Sequence, residues 1–540
     1  MNQQVTHEVQ PVGIDPRQLF YEPIVLEDAL QKACRLGQEV FNGIPEVDNN
    51  SLATQAQVFH FFVNKLAQIC DNRRGGETVS SVTVLNGPDG PEYLFASNHR
   101  DADELSETQE FAESLLTLVG KNPTGLKQKT LVKQVLWKIL LFNLPRLNLY
   151  LEALDTSIDA CIDDCRRRKA PESEKSISQL PPPYYEIADV IVALMSELSK
   201  LKEKADFPRS LESESIQNKF LSDCEKLIKM ALSMKNTEIE QAIRKNAKDG
   251  EMTSSKAWCD LRHYLGRLLS FRQAADAMIG TNERLPNLFQ DFKFTAIPSC
   301  KDAAKPIARS RSFTATSIIK NMIPDDEEEQ EFYLEQALEM QKFGLDDFIF
   351  RQISKHTFRP RVHAEVLVHS YLMSHDLQHP RDYFNSWKYI GSSKPTCRLC
   401  SYYFAAHPDR VQVRKSHFNL YPNWCLPGVF EGPNSGAPDA KTLHLLEQIT
   451  ERVHDDVKRT LDEKRPVGKN YDSNTHTSVP PGLPRYTPSD TASMGEAAIW
   501  LNEMSLNTRA EGDGHLPIEE GDDGYSMIGE VDDEAAENGS

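Results

Sequence analysis

A histidine and a glutamate lie two residues apart in "RVHAEVLVHSYL" (361–372), and 33 intervening residues separate that histidine from a Cys-x-x-Cys pair in "KYIGSSKPTCRLCSYYF" (388–404). His363, Cys397 and Cys400 offer one imidazole nitrogen and two thiolates, ligands that tetrahedral zinc favours. A catalytic zinc keeps one position for water, whereas a structural zinc takes a fourth protein ligand. His407, His417 and Cys425 are close enough in sequence to be that ligand. Thr396 reads as the N-cap of a helix beginning at Cys397, which sets both thiols at the positive end of a helix dipole. Residues two apart on a regular helix point about 200° from one another. His363 and Glu365 therefore serve one site only if the chain is just entering a helix there, as "TFRPRV" with Pro360 implies. Glu365 is then placed to move protons rather than to ligate.

Hydrophobic periodicity says which elements must hold these side chains. Residues 54–98 read as helix, strand, turn and strand. "TQAQVFHFFVNKLAQICDN" carries an apolar stripe of Val58, Phe61, Phe62, Leu66, Ile69 and Cys70, and the helix runs on to Gly75–Gly76. "ETVSSVTVLNGPDGPEYLFASN" then alternates with period two around a Gly- and Pro-rich turn. From Asp101 to Met340 the periodic segments are helical: Leu105 to Val119, Gln128 to Arg166, Tyr184 to Lys204, Leu211 to Lys248 and Ser254 to Ile279. One further helical pattern spans Val25 to Phe41, and another Lys441 to Leu461. Around the metal motif the order is strand, helix, strand, helix, strand, the grammar of an α/β sheet.

H-A-E followed by P-T-C-R-L-C resembles the zinc-dependent cytidine deaminase-like superfamily, in which a His and two Cys hold zinc and the Glu is the acid/base. "GSSKPTCRLC" and "HFNLYPNW" are similar to the branch of predicted nucleic-acid or nucleotide deaminases seen in bacterial toxin-like and fungal multidomain proteins. Here Thr396 separates Pro395 from Cys397, where the general signature has the two adjacent. The resemblance implies an α/β three-layer core, a mixed sheet flanked by helices, whose opening helix and hairpin precede the H-x-E helix. Residues 51–100 supply such a helix and hairpin, and 356–465 supply the motif. The implied layout is thus a helical segment at 1–50, a core split between 51–100 and 356–465, a large mainly α-helical insertion at 101–355, and a tail at 466–540. The alternative is two separate domains.

The activity implied is hydrolytic deamination of cytosine or adenine, in a nucleotide or in single-stranded nucleic acid. Zn²⁺ is held by His363, Cys397 and Cys400, its hydroxide is the nucleophile, and Glu365 is the proton shuttle. Asn98 is implied to bind substrate. Lys394 and Arg398, with Arg359, Arg361, Arg414 and Lys415, are candidates for phosphates, and Trp424, Tyr402 and Tyr403 for stacking a base. The competing reading is a catalytically inactive, zinc-stapled interaction scaffold that recruits protein partners through the insertion and the tail.

Charge is unevenly spread along this chain of 540 residues and net charge −19. Residues 351–420 hold eleven Lys and Arg against four Asp and Glu, together with seven of the fifteen histidines. A basic stretch in an acidic protein suits a polyanion, and equally a face paired with acidic neighbours. Pro466 to Ser540 has fifteen Asp and Glu against three Lys and Arg, which predicts a disordered acidic tail. Within it Ala497, Trp500, Leu501 and Met504 lie at helical spacing. The longest apolar run, Val135 to Leu151, is interrupted by Lys138, Pro145 and Arg146, so no membrane span is expected. Ten irregularly spaced cysteines and an N-terminus unlike a secretion signal point to reduced thiols and an intracellular setting, cytoplasmic, nuclear or both.

Overall fold

The structure is a computed structural model that describes residues 16–37, 52–169, 183–209, 211–247, 256–324, 326–429 and 439–467. The acidic tail beyond residue 467, with its expected helix around Trp500, lies outside the described residues.

The chain begins with α1 (Pro16–Gly37) and α2 (Gln55–Cys70), followed by a hairpin of β1 (Ser80–Asn86) and β2 (Pro91–Ser97). Seven helices come next: α3 (Ala102–Lys121), α4 (Gln128–Phe142), α5 (Leu144–Lys169), α6 (Pro183–Ala205), α7 (Glu214–Ser233), α8 (Glu238–Asn246) and α9 (Lys256–Arg284). A short strand β3 (Lys293–Ala296) precedes α10 (Ala315–Met322), α11 (Glu327–Met340) and α12 (Leu345–Ser354). The motif region then gives β4 (Arg361–Val362), α13 (Ala364–Ser374), β5 (Tyr389–Ser392), α14 (Arg398–Ala406), β6 (Gln412–Val413), β7 (Trp424–Cys425) and the long α15 (Ala440–Glu463). The molecule is mostly helical around a mixed sheet.

That sheet has the order β3-β2-β1-β5-β6. β1 is antiparallel to both β2 and β5, while β3 adds in parallel to β2 and β6 in parallel to β5. The hairpin and the strand that follows the His363 helix are therefore neighbours in one sheet, with Ser81 opposite Ser392 and Val82 opposite Gly391. β4 and β7 form a separate two-stranded parallel pair.

Period-two alternation sorts the strand side chains onto two faces. Val82, Val84, Tyr93 and Phe95 enter a core with α2 and the helices α3 to α9. Leu85, Leu94, Ala96 and Ile390 enter a second core with α1, α13, α14 and α15. A capping box starts α2, with Thr54 accepting from the Gln57 amide and the Gln57 side chain accepting from the Thr54 amide. Phe59 and Phe62 of that helix are fully buried; each stabilises by roughly 1.5–3 kcal/mol relative to exposure. α2 lies so close on β5 that a Cβ at Gly391 would stand 2.6 Å from Val63 Cγ1 and 3.0 Å from the Val63 carbonyl carbon. Only glycine permits this approach.

Element boundaries shift from the sequence reading for local reasons. α2 stops at Cys70 rather than at the glycines, because Asp71 leaves helical geometry and its carboxylate is taken by Thr78 and Arg146. The run from Gln128 to Arg166 breaks at Asn143, since Pro145 has no amide to continue the ladder but fits the first turn of a new helix. The run from Leu211 to Lys248 breaks near Asn236, whose φ is +61°, and Thr237 caps the next helix. β3 was not anticipated: four residues, buried chiefly at Phe294, carry too short a pattern to separate from the helical run.

Candidate metal centre

Extended β4 carries the chain directly into α13, so His363 takes the N-cap position with φ −75° and ψ 148°. Glu365 is then the second residue of the helix, which resolves the divergence expected of residues two apart. The second half of the centre also sits at a helix start. Cys397, not Thr396, is the N-cap of α14: its Sγ accepts from the Cys400 amide at 3.4 Å. The thiol takes the role expected of the Thr396 hydroxyl, and Thr396 Oγ1 is left buried without a hydrogen-bond partner.

His363 Nδ1 lies 3.4 Å from Cys397 Sγ and 3.4 Å from Cys400 Sγ. The three donor atoms lie within 4.8 Å of one another, a group that could hold a metal ion. Among the described residues no fourth His, Cys, Asp or Glu joins them. His407 accepts from the Asp409 amide through Nδ1, His417 accepts from Asn419 in the same way, and Cys425 pairs with Val362 between β7 and β4. One nitrogen and two sulfurs suit zinc, which takes both ligand types in tetrahedral geometry.

Electrostatics at the centre follow from burial opposed by close partners. Burial raises the Cys397 thiol, but hydrogen bonds from Cys400 and the charge and hydrogen bond of His363 outweigh it, leaving Cys397 well below the ordinary thiol range. Cys400 moves well above that range through burial and its bond to Cys397. Burial lowers the His363 ring, yet Cys397 beside it raises it on balance. Burial also raises the Glu365 carboxyl, against the lowering pull of His363 and of a hydrogen bond with Ser392. Glu365 is 3 % exposed and its Oε2 has no hydrogen-bond partner. A buried carboxyl oxygen left unbonded two residues from a candidate metal ligand fits a group kept for proton transfer.

Asn98 comes to this centre across 266 residues: its Oδ1 accepts from the Ala364 amide at 2.7 Å, between His363 and Glu365. Its Nδ2 donates to the Gly76 carbonyl at 2.7 Å. First-turn amides of a helix lack intrahelical partners, and the His363 side chain caps none of them, so Asn98 supplies the acceptor. Lys394, on the loop from β5 to α14, is partly buried. Arg398 is not turned to a ligand. It is 1 % exposed and donates to Glu27 at 2.6 Å and to Asp456 at 3.2 Å, pinning α14 to α1 and α15. A guanidinium so buried keeps its charge only with carboxylates beside it, which the sequence position alone does not reveal.

Trp424 is fully buried and donates from Nε1 to Cys400 Sγ at 3.2 Å, so it supports a candidate metal-binding thiol where base stacking was the expectation. Tyr402 hydrogen-bonds Asp456, and Tyr403 Oη lies 2.6 Å from His369 Nδ1. Much of the basic excess of this region is paired: Arg361 with Asp302, Lys388 with Asp409, and Arg398 as above. The sequence reading missed His369. It is buried, lies four residues beyond Glu365, and bridges Tyr403 and Asp409 between α13 and the end of α14. Its i, i+4 spacing from Glu365 was the available signal.

No helix among the described residues is long and apolar enough to cross a membrane. None of the ten cysteines is disulfide-bonded. Comparison with curated proteins and with solved structures returns no match. Residues 362–428 match the family model described as OTT_1508_deam-like deaminase. That segment begins one residue before His363 and takes in Glu365, Cys397, Cys400 and Trp424. Residues 362–428 therefore resemble the zinc-type deaminase-like superfamily both in sequence and in the donor geometry of the metal centre.

Proposed function

We propose that the protein is a zinc-dependent hydrolytic deaminase acting on cytosine or adenine within a nucleotide or a nucleic acid. The observation that carries this reading is the convergence of His363 Nδ1 on two thiols at 3.4 Å each, with the buried Glu365 carboxyl two residues away and no fourth side chain in the group among the described residues.

His363, Cys397 and Cys400 would hold the ion. Bound zinc supplies Lewis acidity that makes water a nucleophile near neutral pH. Glu365 would take one proton from the attacking water as its oxygen bonds the amine-bearing carbon and pass it to the ring nitrogen; it would then carry the proton of the new hydroxyl to the amine as the C–N bond breaks, leaving ammonia and the oxo base. Its raised pKa suits both accepting and returning a proton. Asn98 fixes the entry of α13, and with it the separation of His363 and Glu365. Trp424 orients the Cys400 sulfur.

The architecture that this function uses is a deaminase-like core drawn from residues 51–100 and 356–465, with residues 101–355 as a mainly helical insertion. The pairing of β1 with β5 supports it. Lys394 is the proposed contact to substrate phosphate on the loop ahead of α14, and an intracellular nucleotide or single strand is the proposed substrate.

The test is ammonia release by purified, zinc-loaded protein from cytidine, adenosine, their monophosphates, and single-stranded RNA and DNA. Release that disappears in Glu365→Gln while zinc stays bound supports the reading. If no substrate yields ammonia and the Glu365 variant behaves as the unaltered protein does, the zinc-stapled scaffold is the better description.

A further inference from the structure

Two buried cations outside the metal centre have no carboxylate partner among the described residues. Lys65 on α2 and Arg267 on α9 are each 6 % exposed. Lys65 Nζ donates only to neutral acceptors, Gln68 Oε1 at 2.9 Å and Gln273 Oε1 at 3.1 Å. Arg267 donates from Nε to Tyr150 Oη at 2.9 Å and lies over that ring at 5.3 Å from its centroid. Among the described residues its two Nη groups make no hydrogen bond and neither cation meets a carboxylate. Three other buried cations among the described residues have a carboxylate or more acceptors. Arg146 has Asp71 at 2.9 Å, Arg398 has Glu27 at 2.6 Å, and Arg100 donates to Ser97, Thr108, Cys70 and Asn72.

Lys65 and Arg267 belong to one cluster, since Gln68 Nε2 donates to Ser270 Oγ at 2.7 Å and that hydroxyl donates to the Arg267 carbonyl at 2.6 Å. After burial, the strongest influences on Lys65 are Arg414, Arg267 and Lys235, all cations, and together they hold its ammonium well below the ordinary lysine range. An uncompensated buried charge is costly, and an external anion relieves that cost.

We propose that Lys65 and Arg267, with Arg414, form a subsite for a phosphate group. Its position links it to the metal centre. Asn64, the neighbour of Lys65, accepts from the Ser392 amide at 3.1 Å, Arg414 donates to the Ser392 carbonyl at 2.9 Å, and Ser392 lies close enough to Glu365 to lower its carboxyl. The phosphate is that of a nucleotide whose base reaches Glu365, and this identity rests on the deaminase reading. Phosphate binding itself does not.

The test titrates the full chain with inorganic phosphate, cytidine and adenosine monophosphates, the unphosphorylated nucleosides, and chloride at matched ionic strength, reading heat of binding and Tm. Phosphate and the monophosphates are expected to bind and to raise Tm, whereas chloride does neither. Lys65→Met and Arg267→Met are each expected to weaken phosphate at least about tenfold, the loss of one charged hydrogen bond. Methionine matches the lysine stem in volume, and Arg267→Met stands as the second readout if Lys65→Met does not fold. Phosphate binding that persists in Cys397→Ser keeps this inference separate from the deaminase reading, and tighter binding of monophosphate than of inorganic phosphate assigns the group to the substrate. Absence of phosphate-specific binding, or full affinity in both methionine variants, overturns the subsite and leaves Lys65 a neutral amine between two glutamines.

Discussion

Two pairs of closely spaced cysteines occur in this molecule, and among the described residues only one belongs to a donor group. Cys161 and Cys165 lie one turn apart in the middle of α5; Cys397 and Cys400 lie at the start of α14. All four are buried and reduced. In α5 burial and then neighbouring acids push the thiols up, Cys165 to about 11 and Cys161 higher still, with Cys165 and Asp164 raising Cys161 further. At α14 the Cys400 amide donates to the Cys397 sulfur, and His363 arrives from another segment at 3.4 Å. Spacing alone is therefore uninformative: a helix start and a third donor brought by the fold make the difference.

The largest effect expected from that contrast is on metal content. Protein dialysed against trace zinc should retain about one ion per chain. Cys397→Ser should retain almost none, while Cys161→Ser should retain the full amount. Elemental analysis decides it, and zinc kept by Cys397→Ser would dissolve the distinction between the two pairs. Glu365→Gln asks for the reverse pattern: zinc unchanged, with ammonia release lower by roughly 10²–10⁴-fold, the usual contribution of a general acid or base. Equal rates with and without the carboxylate would remove Glu365 from the chemistry.

The features that could be read from the sequence are those with a local cause. His363, Glu365, Cys397 and Cys400 were legible because ligand chemistry restricts residue type and Pro360 marks a helix entry. The layers of the sheet were legible through the alternation of Val82 and Val84 against Leu85. The resemblance also placed the hairpin and Asn98 beside the motif, as the β1–β5 pairing and the Asn98–Ala364 bond show, but the long-range pairing of other side chains was not legible. Nothing in "CRLC" announces that Arg398 will meet Glu27, 371 positions away, nor that Trp424 will donate to Cys400. Both residue types commonly bind nucleic acid when exposed, and exposure is a property of the whole fold. β3 went unread for the opposite reason, its four residues being too few to establish a period.

A smaller effect is expected where a side chain supports the candidate metal-binding thiols without itself belonging to the donor group. Trp424→Phe keeps the buried ring but deletes the indole N–H that donates to Cys400 Sγ at 3.2 Å. Zinc affinity, measured by competition with a chromophoric chelator, should fall about 10–100-fold. Among the described residues no tryptophan donates to the α5 pair, where Trp258 donates to Asp164 instead. Unaltered affinity would mean that the sulfur needs no orienting partner.

The smallest expected effect concerns Asn98, which ties the hairpin to the helix of His363. Asn98→Ala leaves the Ala364 amide without its acceptor at the first turn of α13 and frees the Gly76 carbonyl. Loss of a helix-start acceptor costs about 1 kcal/mol, so urea unfolding should show a decrease of that size. Asn98→Asp retains an acceptor for the amide but cannot donate to Gly76, and should recover part of the loss. The two variants separate two roles for the residue. If Asn98→Asp restores stability and zinc affinity but not ammonia release, the amide group is used on substrate as well as on the helix. If it restores all three, anchoring α13 is the whole of its contribution, because the bond still missing is the one to the Gly76 carbonyl, a backbone group that the deaminase chemistry does not use.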